Sequence, residues 1–244
     1  MTKDEQWLLK EKYNGKETPE YEADKKRLAK GEPLGYVIGW QPFLGLKIYL
    51  DSKPLIPRPE TEWWTEQLLN HVGFRKPHMT FLDICAGSGA IGCAALKALP
   101  YMEVFFGEID PAHEKTILKN IHENNLNASR AHIGIGDLFE PFGNLQFDVI
   151  AVNPPYIPDN RILQSSVADY EPSRALRAGV DGLDLIRRIA LSTRCHLTEG
   201  GETWIECDSE HSTIALSLFE SQGLRAKILN DQYDKPRVIC AKMI

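Results

Sequence analysis

A chain of 244 residues, 43% hydrophobic and 25% charged, has the makeup of a soluble globular protein with room for one domain and a short appendage. Its net charge of −6 argues against nucleic-acid phosphates as the main partner, because these need a concentrated basic face. No apolar run approaches the ~20 residues of a membrane span, the charged start MTKDEQWLLKEKYNGKE lacks a signal core, and five scattered cysteines without a C-x-x-C pair read as reduced cytoplasmic thiols.

Residues 19–30, PEYEADKKRLAK, predict one polar helix that stops near Gly31. The aromatic and β-branched stretch 35–50, GYVIGWQPFLGLKIYL, predicts a β-hairpin. Three prolines make 51–62 a loop, and Glu60 or Thr61 opens a helix through Asn70. From residue 80 a βα alternation begins, with strand 80–85, helix 90–99 and strand 103–108. Asp110 caps and Pro111 starts a helix to about Asn124, and strands 131–135 and 147–152 follow. A long connection, 153–180, precedes helix 183–197, strand 202–206, helix 210–221 and strands 225–229 and 238–243. Such alternation implies an open, largely parallel sheet covered on both faces. Ligands of these sheets sit at the carboxyl ends of the strands, which puts Asp83, Glu108, Asp137 and Asn153 on one rim.

The first rim segment, DICAGSGAIG (83–92), holds a G-x-G-x-x-G (Gly87, Gly89, Gly92) between strand and helix. Small residues there let backbone N–H groups approach a ligand at a helix N-terminus. Glu108 ends the next strand, 19 residues after Gly89, where a carboxylate accepts both hydroxyls of a ribose. A nicotinamide dinucleotide fits the glycines, but the Asp83 carboxylate would repel its pyrophosphate. S-adenosylmethionine carries an ammonium and a sulfonium, and a loop opened by Asp83 suits it better. The plain alternative is a tightly packed βα turn with Glu108 as a solvated strand end. In GIGDLFEPF (134–142), Asp137 flanked by Leu138 and Phe139 suits an adenine ring, or equally an ordinary turn.

The strand FDVIAV then stops at Asn153-Pro154-Pro155-Tyr156, because proline cannot continue a central strand. Asn-Pro and Pro-Pro also form plain turns. His113, His122 and His211 lack ligand-like spacing, so no metal is expected, and Trp63 and Trp64 read as helix packing. The connection 157–180 is too long for a bare connector; it folds over a substrate or forms a structural hairpin.

DICAGSGAIG, EID, GDLFEPF and NPPYIP, in that order, resemble a class I S-adenosylmethionine-dependent methyltransferase. Together with LGYVIGWQPFLGLKIYLDSKPLIPRPETE (34–62) and YEPSRALRAGVDGLDLIRRI (170–189), they resemble the release-factor glutamine methyltransferase family (PrmC/HemK type) from about residue 28 onward. The resemblance implies a Rossmann-like class I methyltransferase fold of the α/β class. Its seven-stranded, mostly parallel sheet has helices on both faces and is preceded by a β-hairpin and a short N-terminal helical segment. The corresponding domains are 1–33 (helical segment), 34–62 (hairpin and proline-rich loop) and 63–244 (catalytic domain). It also implies transfer of a methyl group to the side-chain amide nitrogen of the glutamine in the Gly-Gly-Gln tip of class I release factors, by a cytoplasmic monomer that needs no membrane or nucleic acid. The alternatives are a ribosomal-protein glutamine, an adenine amine of RNA or DNA, and a non-catalytic subunit that keeps the fold.

By this resemblance Asp83, Cys85, Ala86, Gly87, Gly89, Glu108, Ile109, Asp137, Leu138 and Asn153 surround the cofactor. Asn153, Pro154, Pro155 and Tyr156 form the catalytic tetrapeptide, and Asn153, Pro154, Tyr156 and Arg58 meet the substrate, although Arg58 also reads as a structural link. The chemistry agrees. The Asn153 oxygen and Pro154 carbonyl each accept one amide hydrogen, Tyr156 packs on the flat amide, and the prolines hold the acceptors rigid without adding a donor. Three departures stand out. About 30 residues precede the hairpin, where relatives usually have several helices; Cys85 replaces the first glycine of D-x-G-x-G-x-G; and Asp208 and His211 stand where relatives tend to have Gly and Gln.

Overall fold

The computed structural model describes residues 1–73 and 78–243. Helix α1 (Lys3–Tyr13) forms behind a capping box in which the Thr2 and Glu5 side chains each accept the other's backbone N–H. Thr18 caps α2 (Pro19–Ala29), whose first residue is proline. The expected hairpin begins later than its composition suggests: residues Leu34–Ile38 form a short helix, α3, that ends at Gly39 with φ 96°. Burial decides this. Val37 and Ile38 pack against Leu8 and Tyr21 in a small core shared by the three helices. The hairpin proper is β1 (Trp40–Phe43) and β2 (Leu46–Tyr49), joined by Leu44 and Gly45. Both turn residues have positive φ, as a two-residue type I′ connection requires.

Beyond the proline loop come α4 (Pro59–Val72), β3 (Thr80–Ile84), α5 (Ala90–Ala98), β4 (Glu103–Glu108), α6 (Glu114–Glu123), β5 (Ala131–Ile135) and β6 (Phe147–Val152). The chain continues through α7 (Ser165–Ala168), α8 (Asp184–Thr193), β7 (Leu197–Glu206), α9 (Ser212–Glu220), β8 (Arg225–Asn230) and β9 (Pro236–Lys242). Helix α8 ends before the expected Leu197, which instead pairs with Phe147 and is fully buried as the first residue of β7.

The seven strands run in the order β5-β4-β3-β6-β7-β9-β8, parallel except for β9, which is antiparallel to both neighbours. Alternate residues of the central strands face opposite cores. Phe81, Val149 and Ala151 pack in the cluster that contains Trp64, Ile91 and Ile117, from α4, α5 and α6. Leu82, Ile150 and Val152 pack with Ile186, Ile189 and Phe219, from α8 and α9. The chain turns outward one way from β3 and the other way from β6, so a crevice opens between their carboxyl ends.

Two asparagines dock the hairpin on this frame. Asn120 of α6 accepts the Tyr49 N–H at 2.7 Å and donates to the Tyr49 carbonyl at 3.1 Å. Asn124 does the same for Lys47, at 2.9 Å each way. The match is one of spacing: four helical residues rise about 6 Å and two strand residues about 6.6 Å.

Gly92 owes its identity to the packing of α5 on β4, since a Cβ there would lie 2.2 Å from the Phe106 ring. Gly92→Ala should therefore lower unfolding stability by about 1–3 kcal/mol through overpacking; a urea midpoint equal to that of the parent protein would refute this packing role.

Candidate active site

A cavity of about 350 Å³ occupies the crevice. Of the residues expected at the cofactor, Cys85, Gly87, Glu108, Ile109, Asp137, Leu138 and Asn153 line it. Asp83, Ala86 and Gly89 lie behind that wall and shape the turn. Gly89, with φ 76°, starts α5 and donates its N–H to the Ala86 carbonyl at 2.7 Å. Fully buried Asp83 accepts the Gly92 N–H at 2.8 Å through Oδ2, whereas its Oδ1 has no hydrogen-bond partner. Burial, reinforced by Glu108, pushes the Asp83 carboxyl up to about 8 against the pull of the Gly92 N–H.

Glu108 binds the rim together. Its two carboxylate oxygens accept the N–H of Gly87 at 2.7 Å and of Asp110 at 2.8 Å. Each oxygen keeps acceptor capacity for a ligand hydroxyl. Cys85 and Leu138, both on the cavity wall, hold positive φ of 60° and 50°, a conformation costly for side chains other than glycine. Asp137 accepts from Arg188 at 2.7 Å. Phe139 does not line the cavity: its ring stacks on His196, with centroids 4.2 Å apart. His113 does line it, and its Nδ1 lies 2.8 Å from the Ser52 hydroxyl.

A second cavity, of about 310 Å³, adjoins the tetrapeptide. Asn153, Pro154, Tyr156 and Arg58 line it with Leu55, Ile157, Ile162, Leu163 and Val167, whereas Pro155 faces the first cavity. Asn153 stands on the wall of both. The 157–180 connection borders both cavities, and its Ile157–Arg177 bridge holds it as a narrow strap. Arg58 donates to buried Glu171 of that strap at 2.5 Å, and the Ile56 N–H reaches the same carboxylate at 3.2 Å.

Sequence reasoning missed the group beneath the tetrapeptide. Glu206, at the end of β7 and 1% exposed, accepts from the Tyr156 hydroxyl at 2.8 Å, and from Thr61 and the Trp64 indole at 2.7 Å each. Thr61 in turn receives the Asn153 amide N–H at 3.1 Å. Burial and the Glu206 carboxylate hold the Tyr156 phenol well above its ordinary range, so it stays protonated. Asp208 has a structural use: it caps the following turn through the Glu210 N–H at 3.0 Å and accepts from Arg161 of the strap, which also meets Glu210 at 2.8 Å.

This fold, with a crevice of about 350 Å³ at its switch point, is that of a Rossmann-like methyltransferase. It is shared with a solved methyltransferase from Pyrococcus furiosus at a TM-score of 0.61 and 16% identity, covering 90% of this chain and 97% of that one. A T. thermophilus 16S rRNA methyltransferase solved with AdoMet and guanosine shares it at 0.58 and 18% identity, over 84% of this chain and 50% of that one. Residues 46–180 match the family model described as conserved hypothetical protein 95. Among curated proteins, the release factor glutamine methyltransferase of Chlamydia trachomatis is 36% identical over 201 residues, 82% of this chain and 68% of that protein. That of Geobacter sulfurreducens is 38% identical over 81% of this chain and 68% of its own length, and that of Lactococcus lactis is 31% identical over 96% and 86%. The chain belongs to the release factor glutamine methyltransferase family.

Asp83 offers a test of the site's electrostatics. A carboxyl raised from 3.8 to about 8 binds its proton more tightly in the folded state, so its stabilising contribution is full at acid pH and is lost as pH rises toward 8. Asp83→Asn retains an acceptor for Gly92 but cannot ionise. Relative to the parent, the variant should gain urea resistance between roughly pH 5 and pH 8. A stability difference that stays constant over that interval would place Asp83 in the ordinary carboxylate range.

Proposed function

We propose that this chain transfers a methyl group from S-adenosylmethionine to the side-chain amide nitrogen of the glutamine in the Gly-Gly-Gln tip of a class I release factor. The observation that carries the reading is the place of Asn153 on the wall common to the two cavities, where a donor in one and an acceptor in the other would meet.

The donor set of the first cavity fits S-adenosylmethionine. Glu108, already fixed by two backbone N–H groups, suits the ribose hydroxyls. Ile109 and Leu138 supply apolar surface for a base, and Asp137 an acceptor for its amine. Glu108 and Asp110 place two carboxylates at the end of β4, where a pyrophosphate would be opposed, while Asp137 is paired with Arg188, and Arg174 and Arg177 line the strap side of the cavity. When bound, the cofactor supplies a methyl group activated by its sulfonium.

The protein's task is then to hold a weak nucleophile. An amide nitrogen shares its lone pair with the carbonyl, so the chain must fix both hydrogens and leave the lone pair aimed. The Asn153 oxygen and the Pro154 carbonyl each take one hydrogen, which also favours positive charge developing on nitrogen. The protonated Tyr156 ring covers the amide and keeps water out. No strong base is required, because the nitrogen becomes acidic once it carries the methyl group. The apolar lining of the second cavity, Leu55, Ile157, Leu163 and Val167, accommodates a slender segment approached closely by the backbone, and glycines beside the glutamine permit that approach.

Incubation with labelled S-adenosylmethionine and a purified bacterial release factor, followed by peptide mass spectrometry, tests the assignment. One methyl group on the Gly-Gly-Gln glutamine is expected; retained cofactor binding without transfer would redirect the search to other glutamine or adenine acceptors. Asn153→Ala should lower turnover on the order of 100-fold or more, with cofactor affinity within a small factor of the parent. Glu108→Ala should do the reverse, weakening cofactor binding first. Equal loss of cofactor binding in both variants would remove the distinction drawn between them.

A further inference from the structure

We propose that Glu206 and Thr61 are positioning residues that set which end of the Asn153 amide faces the second cavity. The inference rests on the reading of Asn153 as an acceptor for the substrate amide.

It follows from counting protons. A buried carboxylate has acceptors only, so each neighbour of Glu206 must give it a hydrogen. Trp64 can only donate, and Tyr156 remains a phenol. Thr61 has a single hydroxyl hydrogen and spends it on Glu206 at 2.7 Å. Its oxygen is left to accept, and the partner at 3.1 Å is Asn153. That partner must therefore be the NH₂ end of the amide, which directs Oδ1 away from Thr61. An amide released from such a chain has two orientations of nearly equal shape, one presenting an acceptor to the substrate and the other two donors. The second would repel a substrate NH₂. Glu206 also takes the Tyr156 hydroxyl at 2.8 Å, so one carboxylate orients both the acceptor and the aromatic cover. The three segments involved, α4, the tetrapeptide and the end of β7, are distant in sequence and meet here.

Thr61→Val keeps the side-chain shape but removes both the acceptor and the donor, and Thr61→Ser restores them. In protein with ¹⁵N-labelled asparagine amides, the Asn153 NH₂ signal, assigned by its loss in Asn153→Ala, should exchange with solvent at least tenfold faster in Thr61→Val than in the parent or in Thr61→Ser. Unchanged exchange in Thr61→Val would overturn the proposal, and this readout needs no substrate. With a release factor that the parent methylates, Thr61→Val should reduce kcat 10- to 100-fold, with KM and cofactor affinity within twofold; Thr61→Ser should recover kcat to within threefold and restore the thermal midpoint. Full turnover in Thr61→Val, or no recovery in Thr61→Ser, would also overturn it. A parent protein that methylates no release factor would instead count against the substrate reading, and the amide exchange would still decide the role of Thr61.

Discussion

Everything in this molecule hangs on the point where β3 and β6 lie side by side and their continuations part. Parallel pairing holds the two strands together as far as Ile84 and Val152. Beyond that, one chain must turn back into α5 and the other must leave the sheet, and no backbone group remains to close the gap. The glycine turn forms one side of this opening, its Gly87 and Gly89 N–H groups spent on Glu108 and Ala86 rather than turned to the crevice, and the proline-stiffened tetrapeptide forms the other. Glu108 fastens the first to β4 and Glu206 fastens the second to α4. Two buried carboxylates thus hold the two lips, each by accepting hydrogens that a buried rim would otherwise leave unpaired.

Charge also holds the outer wall. The strap over the crevice is tied on one flank by Arg58 and Glu171 and on the other by Arg161 with Asp208 and Glu210. These pairs differ in strength. Glu171 is almost wholly buried, so removing its arginine would strand a charge in the interior. Glu210 is mostly exposed, and its pair with Arg161 contributes little by itself. Asp208, in contrast, is largely buried, so its pair with Arg161 holds the second flank as Glu171 holds the first, and Glu210 adds only an outer contact.

Much of this arrangement was legible in the sequence because it is local. Strand ends, the glycine turn, the acidic residue after β4 and the proline stop after β6 are all spelled in runs of a few residues, and they fell on one rim as the parallel-sheet rule requires. The same rule applied to the strand ETWIE would have pointed to Glu206, a carboxylate at the end of a strand otherwise apolar toward its terminus. It was passed over because no neighbouring motif drew attention to it. Thr61 and Glu171 lie in stretches that the sequence marks, but nothing local marks their contacts with Glu206, Asn153, Ile56 and Arg58. Their roles depend on partners 92 to 145 residues away, and spacing says nothing of such contacts. The helix at Leu34–Ile38 was hidden for another reason: GYVI has the composition of a strand, and burial of Val37 and Ile38 against the first two helices overrides that preference. Phe139 likewise turns to His196, since a ring next to a rim residue in sequence need not share its direction.

The paired asparagines on α6 and at its C-cap have a mechanical consequence. By satisfying the outer edge of β2 at two successive outward positions, they leave that edge no free donors or acceptors for an incoming strand and make hairpin and helix a single stiff bracket. The proline loop that carries Leu55 and Arg58 to the crevice leaves directly from this bracket, and its other end is α4. A segment pinned at both ends is a poor hinge. The slowest amide hydrogen exchange around the crevice therefore belongs on the hairpin side, where the wall behaves as a fixed anvil beneath the strap.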